Sequence, residues 1–165
     1  MKKRIIVILL AIVIVGCNNN KKKGILQPTN KVFLTAKIDG VMYSFNDKVS
    51  LNKTSEFSQI INGYNSKDKT RITLGFNLEN QFTKSFELSN NIILVYHGQI
   101  DFKGKKVYHI WQAKKSEMGS SGKITITKNS DTYLEGTFSF KGVGNSKLHT
   151  SVKNITEGKF RVLKK

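Results

Sequence analysis

Alternation of apolar and polar residues is the feature that most constrains how this chain can fold. It is clearest over residues 70–78, where every second position is apolar, namely Ile72, Leu74, Phe76 and Leu78. Successive side chains of a strand point to opposite faces of a sheet, whereas a helix repeats every 3.6 residues. The spacing therefore predicts a strand with one buried face.

The same pattern recurs along the chain, with turn signals about every 8 to 12 residues. Asp39-Gly40 separates residues 31–38 from 41–45 and predicts a hairpin. Residues 79–91 leave two alternatives open, a helical turn with a loop or a short edge strand. Further strands are predicted at residues 57–64, 92–97, 105–115, 122–128, 132–142 and 159–163. We expect an all-β fold, an antiparallel sandwich or barrel-like fold of about eight to ten short strands with at most one short helix.

The amino terminus has a different character. Residues 5–15 are an unbroken run of Ile, Val, Leu and Ala that follows the basic residues Lys2, Lys3 and Arg4. At about 1.5 Å per residue, a helix of this length covers roughly half of the hydrocarbon core of a bilayer. The run therefore indicates a secretory signal peptide and not a membrane-spanning helix.

The apolar run ends in Ile14-Val15-Gly16-Cys17, which resembles a bacterial lipobox. The resemblance implies a lipid on Cys17, cleavage after Gly16 and acylation of the new amino terminus. Two or more acyl chains hold a protein stably on a bilayer. The alternative is that Cys17 is an ordinary small residue at the end of a signal peptide. We expect a signal peptide at residues 1–16, the lipidated Cys and a flexible tether at 17–28, and one β domain at 29–165.

Composition limits both the fold and its partners. Cys17 is the only cysteine, so no disulfide forms within the chain and the fold depends on its core. The formal net charge is +17, which suits acidic glycans, anionic lipid headgroups or nucleic acid. Nucleic acid is not expected as a partner, because the signal peptide directs the domain out of the cytoplasm and the lysines are scattered. The simpler interpretation of the charge is solvated Lys side chains at sheet edges.

Four short motifs in this chain are recognisable: FLTAKIDG at residues 33–40, GKITIT at 122–127, EGTFSF at 135–140 and ITEGKF at 155–160. Together they resemble a group of uncharacterised lipoproteins of Bacteroidetes-type bacteria. The resemblance implies a lipoprotein with a β-rich fold and brings no activity. In such lipoproteins, acidic residues just after the lipidated Cys accompany export to the outer face. Residues 18–23 contain no acid, which favours an outer-membrane lipoprotein that faces the periplasm.

Within these motifs, Gly136 and Gly158 are expected at strand bends where backbones approach closely. Few residues of the chain suggest a metal site or a catalytic site. His97, His109 and His149 are the only histidines, and they lack the spacing of a metal site, although His97 and His109 come near one another if their strands pair. No Gly-x-Ser-x-Gly motif is present. We therefore expect no metal, no cofactor and no catalytic residue.

The best candidate for ligand binding is a group of aromatic residues around Trp111, the only tryptophan. Its predicted strand is semi-apolar on both faces, so alternation does not decide whether Trp111 is buried. A buried Trp111 is the largest residue of the core. An exposed Trp111 belongs to a platform for a sugar or a peptide, formed by Tyr96, His97, His109 and Trp111.

These patterns favour a lipid-anchored protein of the cell envelope that binds a ligand or has a structural role, without catalysis. Its expected partners are the membrane, through the lipid on Cys17, and either an acidic glycan or an envelope protein. Two alternatives remain open. One is an envelope hydrolase that cleaves glycans with a pair of carboxylates, although no pair stands out among the 11 acidic residues. The other is an electropositive adaptor for lipopolysaccharide or another acidic glycan.

Overall fold

The computed structural model describes residues 31–55, 58–78, 85–89, 92–144 and 151–164. The predicted signal peptide, the tether with Cys17, and His149 lie outside these residues. Within them the chain is all-β, with eleven strands and no helix, and its sheet is not closed into a barrel. The predicted fold class is confirmed. In the described ranges there is no helix with the length and apolar character needed to cross a membrane.

The strands run antiparallel to their neighbours in one branched sheet. Hydrogen bonding gives the order β2-β1-β11-β10-β8-β7-β5-β4-β3, and β9 pairs with both β10 and β6. Their bounds are β1 Phe33–Ile38, β2 Val41–Ser44, β3 Lys48–Lys53, β4 Ser58–Asn65, β5 Thr70–Asn77, β6 Ser85–Glu87, β7 Ile93–Phe102, β8 Lys105–Ala113, β9 Ser121–Asn129, β10 Tyr133–Gly144 and β11 Val152–Leu163.

Several strands differ from the sequence prediction. Strand β3 was not predicted, and β6 forms within the segment left open at residues 79–91, where the described part is a short edge strand paired with β9. Strand β11 begins at Val152 and not at residue 159. Its polar first half is extended because β10 and β1 pair with it on its two edges. A neighbour on each side satisfies the backbone groups of a segment that has little apolar alternation.

The predicted Asp39-Gly40 hairpin joins β1 to β2. Asp39 and Gly40 have φ values of 48° and 86°, the left-handed geometry that a two-residue hairpin turn requires. The Asp39 carboxylate also accepts hydrogen bonds from the backbone of Asn154 at 2.9 Å and from Lys153 Nζ at 2.6 Å. Burial raises the pKa of Asp39, but these hydrogen bonds outweigh it and hold the pKa below its usual value. The turn is thereby fixed against β11.

Two reciprocal pairs of glycine and phenylalanine join β10 to β11. Gly136 lies opposite Phe160, and Phe138 lies opposite Gly158. A Cβ atom at Gly136 would lie 2.5 Å from Phe160 Cζ, and one at Gly158 would lie 2.5 Å from the backbone oxygen of Phe138. The predicted close approach at both glycines is confirmed. Each ring covers the backbone of the facing glycine, an arrangement that fixes register in curved sheets.

One cluster of buried side chains forms the core and draws on both ends of the sheet. The link between β2 and β3 contributes Phe45, which is fully buried and whose backbone N–H donates to the carbonyl of Leu34 at 2.8 Å. The side chain of Asn46 accepts a hydrogen bond from the Leu34 N–H at 2.7 Å, and Asn46 bridges to Tyr64 of β4. Burying Phe45 contributes about 1.5–3 kcal/mol relative to exposure. This link therefore brings the β1–β2 edge of the sheet against β4.

Candidate functional site

Trp111 is a core residue. In β8, the side chains of His109, Trp111 and Ala113 point inward, whereas Tyr108 and Ile110 point outward. Trp111 is only 1% exposed. Of the two alternatives left by the sequence, burial is therefore the one observed, and the exposed platform around Trp111 is not formed. The choice between faces depended on the register of β8 with β7, which the sequence of β8 alone does not contain.

The inward aromatic residues are nevertheless grouped as predicted. The ring of Tyr96 stacks on Trp111 with centroids 5.5 Å apart, and the ring of His109 meets Trp111 edge-on at 4.6 Å. The indole N–H of Trp111 donates to Ser151 Oγ at 3.0 Å, and Lys153 Nζ lies 5.6 Å from the centre of the ring. Trp111 thus connects β7 and β8 to the beginning of β11. The stacked Trp111 ring thereby holds the Tyr96 ring in position.

His97 is separated from this group because it lies on the opposite face of β7. His109 pairs with Gly98 and His97 pairs with Ile110, so the two histidines occupy adjacent register positions and point to opposite sides of the sheet. Burial, followed by the positive charge of Arg71, lowers the pKa of His97. The two histidines do not converge, and the described ranges hold no group of three or more His, Cys, Asp or Glu residues that could bind a metal ion.

A cavity of about 650 Å³ opens beside Tyr96 at one end of the sheet. It forms because β5 begins at Thr70 while β7 and β8 continue past that point, and the turn between β4 and β5 lies across the gap. We call it the end cavity. Three tyrosines line it, one from each of three strands, together with two uncharged polar residues; these five are Tyr43, Thr70, Tyr96, Gln99 and Tyr108.

Two of these residues present buried polar groups. Burial, assisted by neighbouring groups that include Tyr43, raises the pKa of Tyr96, so that its hydroxyl stays protonated and can donate a hydrogen bond. Thr70 is only 4% exposed, and its Oγ1 is buried without a hydrogen-bond partner among the described residues. Leaving a buried hydroxyl unsatisfied costs about 1–3 kcal/mol. A polar ligand in the end cavity would offset that cost.

Charged residues surround the rim of the end cavity. Lys67, Lys69 and Lys106 line it, and none of the three forms an ion pair within the part of the chain that the structure describes. Asp68 and Asp101 also line it, but their carboxylates have structural roles. Asp68 accepts from the Asn65 side chain at 3.1 Å, and Asp101 accepts from the Gly104 backbone N–H at 2.9 Å. With three lysines and two aspartates, the rim carries a small excess of positive charge that favours a negatively charged ligand.

Sequence analysis singled out Tyr96 but missed the other residues of the end cavity. They come from β2, the β4–β5 turn, the start of β5, β7 and β8, several of which lie far apart along the chain. The sequence did contain one signal for this arrangement. Successive hairpins place every second turn at the same end of an antiparallel sheet, so the turns at 39–40 and 65–69 were candidates to share an end. The register that sets Tyr43 beside Tyr96 is a property of the folded sheet.

Comparison of this chain with protein-family models, with curated proteins and with solved structures finds no match.

Proposed function

We propose that this chain is a lipid-anchored lipoprotein of the cell envelope that binds a ligand in its end cavity without catalysis. The observation that carries the binding role is the cavity of about 650 Å³, lined by Tyr96 and by Thr70, whose buried hydroxyl has no hydrogen-bond partner among the described residues. Small-molecule sites typically enclose about 300–1,000 Å³ and combine aromatic walls with a few polar groups. The end cavity has this size and three tyrosines in its walls, and the rest of its lining is mostly polar or charged.

The residues of the end cavity favour a carbohydrate as ligand. Aromatic rings offer flat apolar faces to the C–H groups of a sugar, while Thr70 and Gln99 offer hydrogen bonds to its hydroxyls. The lysines at the rim favour a sugar that carries an acidic group. The other expected partner class is an envelope protein. Such a protein would bind by inserting an extended peptide segment into the end cavity.

The anchor is proposed from the lipobox-like sequence that ends in Cys17. The likeness to lipoproteins of Bacteroidetes-type bacteria and the acid-free tether support an outer-membrane location that faces the periplasm. Cells grown with radiolabelled palmitate provide the test. We expect the full-length protein to carry label and to sediment with membranes, Cys17→Ala to lose the label, and the neighbouring control Asn18→Ala to keep it. A Cys17→Ala protein that retains label would disprove the anchor.

The binding role is tested with the detergent-solubilised full-length protein and a panel of neutral and acidic oligosaccharides. Trp111 is the only tryptophan and stacks on Tyr96, so its fluorescence reports occupancy of the end cavity. Tyr108 is 66% exposed, and Tyr108→Ala removes one wall with little effect on the core. We expect this change to weaken binding about fivefold. Met42→Ala, an exposed control outside the cavity, should leave affinity unchanged. Failure of every sugar to bind would contradict the proposal.

The alternative of a glycan hydrolase would use Asp68 and Asp101, the carboxylates that line the end cavity. Each already accepts a hydrogen bond within its own turn, which favours binding over catalysis. Mass spectrometry of the bound oligosaccharide decides between them. Intact sugar after prolonged incubation supports binding alone, whereas fragments that are lost in Asp101→Asn would establish the hydrolase.

A further inference from the structure

A row of four side chains crosses the outer face of the sheet. Lys48 of β3 pairs with Tyr64 of β4, Tyr64 pairs with Arg71 of β5, and Arg71 pairs with His97 of β7. Residues that are paired in register lie side by side on the same face, so these four form a line across the strands. Their neighbours Gly63, Ile72 and Tyr96 are buried on the inner face. We call the four residues the outer row.

A second line of polar residues runs parallel to the outer row. Ser50 pairs with Asn62, and Asn62 pairs with Thr73, whose hydroxyl donates to Asn62 Oδ1 at 2.8 Å. A concavity of about 360 Å³ lies over the two lines and is lined by Lys48, Ser50, Asn62, Gly63, Tyr64 and Arg71. It thus places a tyrosine ring, hydroxyl and amide groups and two cations around one depression.

The cations of the concavity differ from those on β1 and β11. Lys37 pairs with Glu157, Lys153 pairs with Asp39, and Arg161 pairs with Glu135. Lys48 and Arg71, in contrast, form no ion pair within the described ranges, and the residues that line their concavity include no carboxylate. The concavity over the outer row thus holds two cations and no carboxylate in its lining.

Spacing defines what such a site can hold. Strands lie about 4.8 Å apart, so the backbones of Lys48 and Arg71 are roughly 10 Å apart with Tyr64 between them. An extended chain with repeated acidic groups can contact both cations at once and pass over the tyrosine between them. Tyr64 is 37% exposed and offers the face of its ring to an uncharged part of that chain. An arginine also pairs with carboxylate through two parallel hydrogen bonds.

We propose that the outer row binds an acidic polysaccharide, with Lys48 and Arg71 contacting separate carboxylates and Tyr64 stacking on the sugar between them. Ser50 and Asn62 contact the hydroxyls of the same stretch. This site is separate from the end cavity and does not depend on it. Because the row runs perpendicular to the strands and continues to His97, the polysaccharide crosses the sheet instead of following a strand.

The test uses detergent-solubilised full-length protein, with polygalacturonate as the acidic probe and dextran as its neutral counterpart, in isothermal titration calorimetry. Polygalacturonate should bind and dextran should not. With two charge contacts, raising the salt from about 50 mM to about 300 mM should weaken binding about tenfold. Lys48→Gln and Arg71→Gln should each weaken it about threefold to fivefold. Lys115→Gln removes an equally exposed positive charge from the β8–β9 link and should have no effect.

Different failures overturn different parts of the proposal. No binding of polygalacturonate, or an equal loss in Lys115→Gln, would show that the outer row is not a site. Tyr64→Ala tests the sugar contact, and we expect it to weaken polygalacturonate binding about fivefold. Unchanged affinity in that variant, or equal affinity of the wild type for inorganic polyphosphate or single-stranded poly(dT), would overturn the assignment to a polysaccharide. Far-UV circular dichroism of each variant confirms that the fold is kept.

Discussion

Replacing Trp111 with Phe tests whether this side chain supports the core behind Tyr96. The change removes the indole N–H that donates to Ser151 Oγ at 3.0 Å, which contributes about 1 kcal/mol. It also removes two ring carbons from a site that is 1% exposed, at about 0.8 kcal/mol for each. Because the surrounding strands relax only partly, we expect the free energy of unfolding to fall by about 3 kcal/mol.

Urea unfolding followed by far-UV circular dichroism measures this loss without relying on the fluorescence that the change removes. The free energy of unfolding falls by about 2 kcal/mol per molar urea, so the urea concentration at the unfolding midpoint should fall by about 1.5 M. Ser151→Ala should cost about 1 kcal/mol in the wild type and almost nothing beside Phe at position 111. A loss below about 1 kcal/mol for Trp111→Phe would refute the core role, since large core truncations cost several times more. Equal costs of Ser151→Ala in both backgrounds would refute the hydrogen bond.

Three further predictions concern packing, charge and the end cavity. Gly136→Ala should lower stability by about 2 kcal/mol in thermal unfolding, because its Cβ would lie 2.4 Å from the Thr125 backbone oxygen. His97 has a pKa below its ordinary 6.5, so the unfolded chain binds this proton more readily, and stability should fall as the pH drops below 6.5 and level off below the folded pKa. His97→Gln should remove that dependence in urea titrations compared with the wild type; an unchanged slope would contradict it. Thr70→Val should raise the free energy of unfolding by about 1 kcal/mol and weaken the binding of any ligand in the end cavity. A loss of stability in urea unfolding would show that the Thr70 hydroxyl has a hydrogen-bond partner in the wild type.

The sequence predicted the fold class because the signal is local. Alternation in β5 and the two-residue turn at Asp39-Gly40 specify a strand and a hairpin without reference to distant residues. The first half of β11 carries no such signal, since its polar residues become extended through pairing with β1 and β10. A strand could therefore be predicted where one of its faces is apolar. Its length could not be predicted where pairing with strands on both edges determines it.

The candidate sites were harder to predict because they depend on register. Tyr96 and His97 are adjacent in the sequence, yet one lines the end cavity and the other lies on the outer row. Which of them faces inward follows from the pairing of β7 with β5 and β8, and a shift by one residue would exchange them. Trp111 posed the same difficulty, because both faces of β8 are semi-apolar.

The interpretation of the lysines changes for a related reason. They are scattered along the sequence, which favoured solvated side chains at sheet edges over a binding surface. In a sheet, however, neighbours across strands are distant in sequence, so residues 48, 64, 71 and 97 form one line although no two of them are adjacent in the chain. Acidic residues pair with Lys37 on β1 and with Lys153 and Arg161 on β11. Lys48 of β3 and Arg71 of β5 form no ion pair within the described ranges. Charge on a β protein is therefore judged after its register is known, and here the register brings Lys48 and Arg71 together in the proposed site for an extended polyanion.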